Sequence, residues 1–93
     1  MTHETFVWDI AKSNANFQKH GVSFQEAATA FMDPLARLIP DPDHSVGEPR
    51  WLLVGVSERT RLLIVVHVER GDRIRIINAR KATRQERVQH EED

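Results

Sequence analysis

The hydrophobic positions of this chain change period along its length. Phe24, Ala27, Ala28 and Phe31 fall at i, i+3, i+4 and i+7, one stripe of a helix. Ser23 followed three residues later by Glu26 is a capping box that opens it, and Asp33-Pro34 ends it. Upstream, "TFVWD" is a short β-prone run, and Asp9 is placed to cap a helix running through Gln18 or Lys19. Ile10, Asn14 and Phe17 give that helix a thin apolar face. Gly21 supplies the left-handed residue that closes it, with Val22 folding back on its end.

Downstream the period shortens to that of strands. "LARLI" reads as a short strand, and "PDPDHSVGEP" as a loop, with three prolines and a glycine in ten residues. Three strands follow, "RWLLVGVS", "RLLIVVHV" and "RIRIINA", joined by polar turns around Glu58 to Thr60 and Arg70 to Asp72. Such short joints make an antiparallel meander. Gly55 inside the first strand signals a bulge or a close backbone approach. Thr83 to Glu86 is a second capping box, opening a helix whose one sizeable apolar residue is Val88. A helix that polar is marginal alone and frays or docks on a partner. The expected fold class is α+β: two N-terminal helices, a twisted antiparallel sheet of three to four strands with a short N-terminal strand in addition, and a short C-terminal helix.

Register decides which side chains meet on the last hairpin. A two-residue turn at Gly71-Asp72 pairs Val68 with Arg75 and His67 with Ile76, mixing apolar and charged groups on each face. A three-residue turn, Arg70 to Asp72, pairs Val68 with Ile74, Val66 with Ile76, His67 with Arg75 and Glu69 with Arg73. A slip of one residue exchanges the faces, so the cleaner segregation favours the three-residue turn. It predicts His67, Glu69, Arg73 and Arg75 together on one water-facing surface.

Composition narrows the class. Ninety-three residues, 40% hydrophobic and 29% charged, suit one globular domain spanning 1–93. The absence of cysteine excludes disulfides, thiolate metal sites and a cysteine nucleophile. "MTHETFVWDI" lacks a secretory signal, and the longest apolar run, Leu62 to Val66, is too short to span a bilayer. A soluble cytoplasmic protein without a membrane partner is expected. The net charge of −1 conceals an asymmetry: residues 59–87 carry nine basic side chains, eight of them arginine, against three acidic ones. Guanidinium forks suit phosphate better than ammonium does, which points to a polyanion. A solvated, salt-bridged sheet face is the plain alternative.

The predicted cluster has the parts of metal-free RNA cleavage. A base takes the 2′-hydroxyl proton as that oxygen attacks the neighbouring phosphate, and guanidinium groups stabilise the charge that builds on the phosphoryl oxygens. Glu69 or His67 could supply the base, whereas a cross-strand Glu69–Arg73 pair on a wet surface would carry no chemistry. Of the remaining histidines, His20 suits the negative end of its helix, and His3, His44 and His90 lie in the termini or the proline loop. No histidine spacing suggests zinc, and no cofactor is expected. Asp41 opens a calcium-loop-like D-x-D-x-S, but Val46 and Leu52 stand where glycine and a bidentate glutamate are required. No phosphate-binding glycine motif or nucleophile elbow occurs.

The order W-D with its helix, K-H-G-V-S-F, D-P, G-x-S, R-x-L-x-V-V and I-R-I-I-x-A-R-x-A, from about Phe6 to Arg87, resembles the BrnT family of bacterial toxins. Asn78 stands where that pattern carries serine. The resemblance implies a RelE-like fold and a ribonuclease toxin of a type II toxin–antitoxin module that blocks translation by cutting RNA. It further implies a BrnA-like antitoxin as partner, and contact with operator DNA only through that antitoxin. On this chain the expected catalytic set is Arg61, His67, Glu69, Arg75 and Arg80. Lys19, His20, Arg70, Arg73, Lys81 and Arg84 would contact flanking RNA, free or on the ribosome. The alternative is a non-catalytic binding module whose arginine-rich sheet face docks an acidic partner protein.

Overall fold

A computed structural model describes residues 5–41 and 47–92; His3, His44 and most of the calcium-like stretch lie outside the described residues. Five strands form one sheet in the order β1-β5-β4-β3-β2. They are β1 (Thr5–Val7), β2 (Arg37–Pro40), β3 (Trp51–Val56), β4 (Leu62–Arg70) and β5 (Arg73–Lys81). β2 to β5 are antiparallel and the short N-terminal strand is present, both as expected, but β1 pairs in parallel with Arg73 to Arg75 of β5, so the sheet is mixed and not purely antiparallel. Two helices, α1 (Ile10–His20) and α2 (Phe24–Thr29), the latter continued by a 3₁₀ turn at Ala30–Met32, cover one face. α3 (Arg84–Glu92) lies against the other.

The helix signals act as read, with one diversion. The Asp9 carboxylate accepts from the Lys12 N–H at 3.0 Å. Gly21, at φ +70°, donates its N–H to the Phe17 carbonyl at 2.8 Å, and Val22 behind it is fully buried. The Ser23 hydroxyl accepts from the Glu26 N–H at 3.0 Å, but Glu26 turns its carboxylate to Arg61 and Ser57 instead of completing the box. Phe24, Ala27 and Ala30 then pack with Leu63, Val65 and Ile76 as the main core.

α1 is turned opposite to its predicted face. Ile10 and Phe17 are 74% and 53% exposed, while Ser13 and Asn16 are buried. The reason is backbone accounting. β1 covers the outer edge of β5 only as far as Arg75, which leaves the peptide groups of Ala79 to be satisfied otherwise. Asn16 does this: its Nδ2 donates to the Ala79 and Val22 carbonyls at 2.9 Å each, and its Oδ1 accepts from the Ala79 N–H at 3.1 Å. A buried amide engaged on both sides takes the place of a strand.

The β4–β5 hairpin turns on two residues, not three. Arg70 pairs with Arg73, Glu69 with Ile74, Val68 with Arg75 and His67 with Ile76. Gly71, with φ +60°, occupies the first central position of the turn, where a type II′ turn requires a positive φ. A bulge at Ile77 then shifts the register by one, so that Val66 faces Asn78 and Ile64 faces Arg80. Cross-strand partners share a face. The helix-side face therefore carries His67, Glu69, Ile74, Ile76 and Ala79. The opposite face carries Arg70, Arg73, Arg75, Asn78 and Arg80.

On that second face Val54, Ile64 and Ala82 form a small cluster beside α3. No side chain of α3 is buried, and Val88 is 45% exposed. The helix is held at its start by polar contacts. Arg80 meets the Glu86 carboxylate with both terminal nitrogens, at 2.7 and 3.0 Å. Thr83 and Glu86 form a complete reciprocal capping box.

Two outcomes follow from this packing. A Cβ on Gly55 would sit 2.7 Å from the Ala30 carbonyl oxygen, so Gly55→Ala should destabilise by about 1–3 kcal/mol in urea unfolding, with an unchanged m-value. Arg80 hydrogen bonding holds the Glu86 carboxyl down to about 2 from an ordinary 4.5. A lowered folded-state value contributes stability that is complete above pH 4.5 and is lost as pH falls toward 2. The urea midpoint of Glu86→Gln should accordingly fall less steeply than the wild type's across that window.

Candidate nucleic-acid interface

The hairpin end of the second face gathers three arginines. Arg70 and Arg73 are direct cross-strand partners, and Arg75 follows two residues on, opposite Val68. Like charges directly opposite one another disfavour a strand pair, so this arrangement is not one that stability alone would select. Glu48, from the loop before β3, grips Arg70 through Nε and Nη2. That guanidinium holds the Glu48 carboxyl below the usual range. Among the described residues no carboxylate lies within ion-pair distance of Arg73 or Arg75.

The predicted gathering of His67, Glu69, Arg73 and Arg75 on one surface does not occur. Glu69 and Arg75 point to opposite sides of the sheet, because Glu69 pairs with Ile74 and Arg75 with Val68. His67 is fully buried; its ring meets Phe31 edge to face at 4.8 Å between centroids. Its Nε2 lies 3.1 Å from a Glu69 carboxylate oxygen and its Nδ1 3.3 Å from the Val65 carbonyl. Glu69 is 42% exposed and remains accessible from the helix side of the hairpin end. His67 therefore orients Glu69 and is itself shut off from solvent. Strict alternation puts His67 on the surface, whereas the fold uses it as a core aromatic, and this reverses the preferred register.

Two further predicted arginines are engaged by carboxylates. Arg61 lies on the helix side, where it forks onto Glu26 and donates to the Gly21 carbonyl at 3.0 Å. Glu26 is only 4% exposed and also accepts from the Ser57 hydroxyl at 2.7 Å. Arg61 hydrogen bonding holds the Glu26 carboxyl below its usual range despite burial. Arg61 is itself partly exposed, but its removal would leave the buried Glu26 carboxylate without its charge partner. Arg61 thus ties α2 and the end of α1 to the sheet and does not line the arginine face. Arg80 shares the second face with Arg75, but Glu86 occupies its guanidinium.

Lys81 and Arg84 are exposed at the end of β5 and the start of α3. Lys19 and His20 close α1 and line a cleft with Lys12, Ala15, Asn16, Ile77 and Asn78. Sequence reading missed Glu26, Glu48 and Glu86 as arginine partners, and missed Asn16. The i, i+7 spacing of Lys12 and Lys19 was open to view, whereas the pairing of Glu26 with Arg61 depends on the tertiary fold. Among the described residues no group of three histidine or acidic side chains is placed to hold a metal, and no helix is long and apolar enough to cross a membrane.

The comparisons with known proteins agree with this architecture. The family model described as "Ribonuclease toxin, BrnT, of type II toxin-antitoxin system" matches residues 8–86. No curated protein sequence matches the chain. Among solved structures, the fold is similar to the Brucella abortus ribonuclease toxin BrnT, with a TM-score of 0.68 at 20% identity, covering 87% of this chain and 99% of that one. At that identity the structural likeness speaks to the fold, and the family match to ancestry. With nearly the whole sequence inside the match, the chain belongs to the BrnT family of ribonuclease toxins of type II toxin–antitoxin systems.

Proposed function

We propose that this protein is an endoribonuclease toxin that lays RNA across the arginine face of the β4–β5 hairpin and cuts it without a metal ion, arresting translation in the cytoplasm. The observation that carries the reading is the pair Arg73 and Arg75, beside Arg70 on one face, with no carboxylate paired to either among the described residues. Phosphate oxygens are the natural ligands for such guanidinium groups.

In the proposed reaction the 2′-hydroxyl gives its proton to a base as its oxygen attacks the adjacent phosphorus, the P–O5′ bond breaks, the 5′-oxygen takes a proton from water, and a 2′,3′-cyclic phosphate remains. Arg73 and Arg75 stabilise the charge on the non-bridging oxygens. Glu86 and Glu48, with lowered carboxyl values, are poor proton acceptors. Glu69, whose carboxylate His67 holds, points away from Arg73 and Arg75, so it serves as base only to a 2′-hydroxyl brought round the end of the hairpin. It reaches RNA only where β4 runs past the last β3 pair, Trp51 with His67, so that a strand can wrap the uncovered edge. Arg61 and Arg80 act as structural braces in this scheme, and Lys81 and Arg84 offer outlying phosphate contacts.

The partner follows from the same surface. A BrnA-like antitoxin would neutralise the toxin by placing carboxylates on Arg73 and Arg75, as Glu48 already does on Arg70. A pure binding module would use these contacts without chemistry, and would leave RNA intact when incubated with it, with or without translating ribosomes.

Induced expression should stop growth and generate new RNA ends. Arg73→Ala with Arg75→Ala should lower cleavage by about a hundredfold or more and relieve the arrest. Glu69→Gln separates the two halves of the site: full activity in that variant would remove Glu69 from the chemistry and leave the arginine face alone. Unchanged cleavage by the double arginine variant would overturn the assignment.

A further inference from the structure

The bulge at Ile77 does more than shift the register. Beyond it the outer edge of β5 is no longer flanked by β1, and α1 stands there instead, fastened by Asn16 to Ala79. Lys12 and Lys19 lie two turns apart, each about one turn from Asn16 and on its side of α1, and both are exposed. With His20, Ile77 and Asn78 they line an open cleft of about 210 Å³. No carboxylate among the described residues lines it. Asp9, the nearest acid in sequence, gives a carboxylate oxygen to the Lys12 backbone N–H. Asn78 belongs to the face that carries Arg73 and Arg75, being paired with Val66 as Arg75 is with Val68.

We propose that this cleft is a second RNA subsite, continuing the path that begins on the hairpin arginines. Lys12 and Lys19 take backbone phosphates, and the Asn78 amide reads the edge of a base held between them and Arg75. The inference rests on the function proposed above. Three features favour single-stranded RNA as the occupant. The cations recur along one groove and are not concentrated at a point. The groove is open and so admits a polymer. A side-chain amide, which can donate and accept at once, stands among the cations where a base edge can meet it. Asn16 is excluded from any reading role because its donors and acceptor are already engaged by Ala79 and Val22.

The test uses the full chain and an RNA oligomer carrying 2′-O-methyl groups, which cannot be cut. Affinity is measured over a range of salt. Lys12→Ala with Lys19→Ala should flatten the slope of log K against log salt by about 1.4, the value of two phosphate contacts on a single strand. Separately, Asn78→Ala should shift the base preference at mapped cleavage ends of unmodified RNA by about tenfold. Thermal melts of the variants check folding, and the lysine positions are solvent-exposed helix sites where alanine is well tolerated. An unchanged slope in the lysine variant, with a reduced slope in Arg73→Ala, Arg75→Ala, would overturn the second subsite and leave the proposed function standing. Wild-type protein with no salt-dependent RNA binding would overturn both.

Discussion

The phase of one strand pair governs what this molecule can do. β4 and β5 form the centre of the sheet, and their alignment is set by a glycine at positive φ in a two-residue turn and by one extra residue, Ile77. The turn places Arg75 opposite Val68, away from the helices. The bulge then allows Ile76 and Ala79 both to enter the core although they are three residues apart. Without that extra residue, either the core or the polar face would lose its composition halfway along the strand.

The bulge has a second consequence at the edge of the sheet. β1 can follow β5 only up to Arg75, and the remaining edge must be closed by something else. α1 closes it with an amide, so the helix must turn its polar side inward and leave Ile10 and Phe17 to solvent. The same docking brings Lys12 and Lys19 alongside Asn78. A local rule of hydrogen-bond satisfaction thus decides the orientation of a helix, and with it the position of two cations.

Elements and caps were readable because they are local. Asp9, Gly21, Ser23 and Thr83 each do what their types and spacing imply, and the glycine in β3 marks a close backbone approach, to Ala30. The parallel pairing of β1 was not readable, since nothing within three residues distinguishes an edge strand's partner. The candidate site was half readable. Its arginines were visible by composition, and Arg73 and Arg75 do share a face. The alternation argument could not tell a buried histidine from an exposed one, and a single imidazole reassigned to the core changes the preferred register. His67 can occupy that position because Glu69 and the Val65 carbonyl meet its two nitrogens while Phe31 meets its ring.

Charge arithmetic explains why a nearly neutral chain presents a cationic surface. The acidic residues are not spread evenly against the basic ones; several are placed where the fold needs an arginine held. Glu26 fixes Arg61 under the helices, Glu86 fixes Arg80 at the start of α3, and Glu48 fixes Arg70 beside the hairpin. Each pairing removes a guanidinium from competition for phosphate and gives it a structural task. Arg73 and Arg75, both on β5, have no ion-pair partner among the described residues, although the charge of Arg75 also reaches the Glu48 carboxylate. Exposed surface pairs are worth little to stability, so adding carboxylates opposite Arg73 and Arg75 would gain the fold almost nothing. Keeping them without a close carboxylate among the described residues is therefore cheap, and it leaves two cations for an anionic ligand from outside the chain.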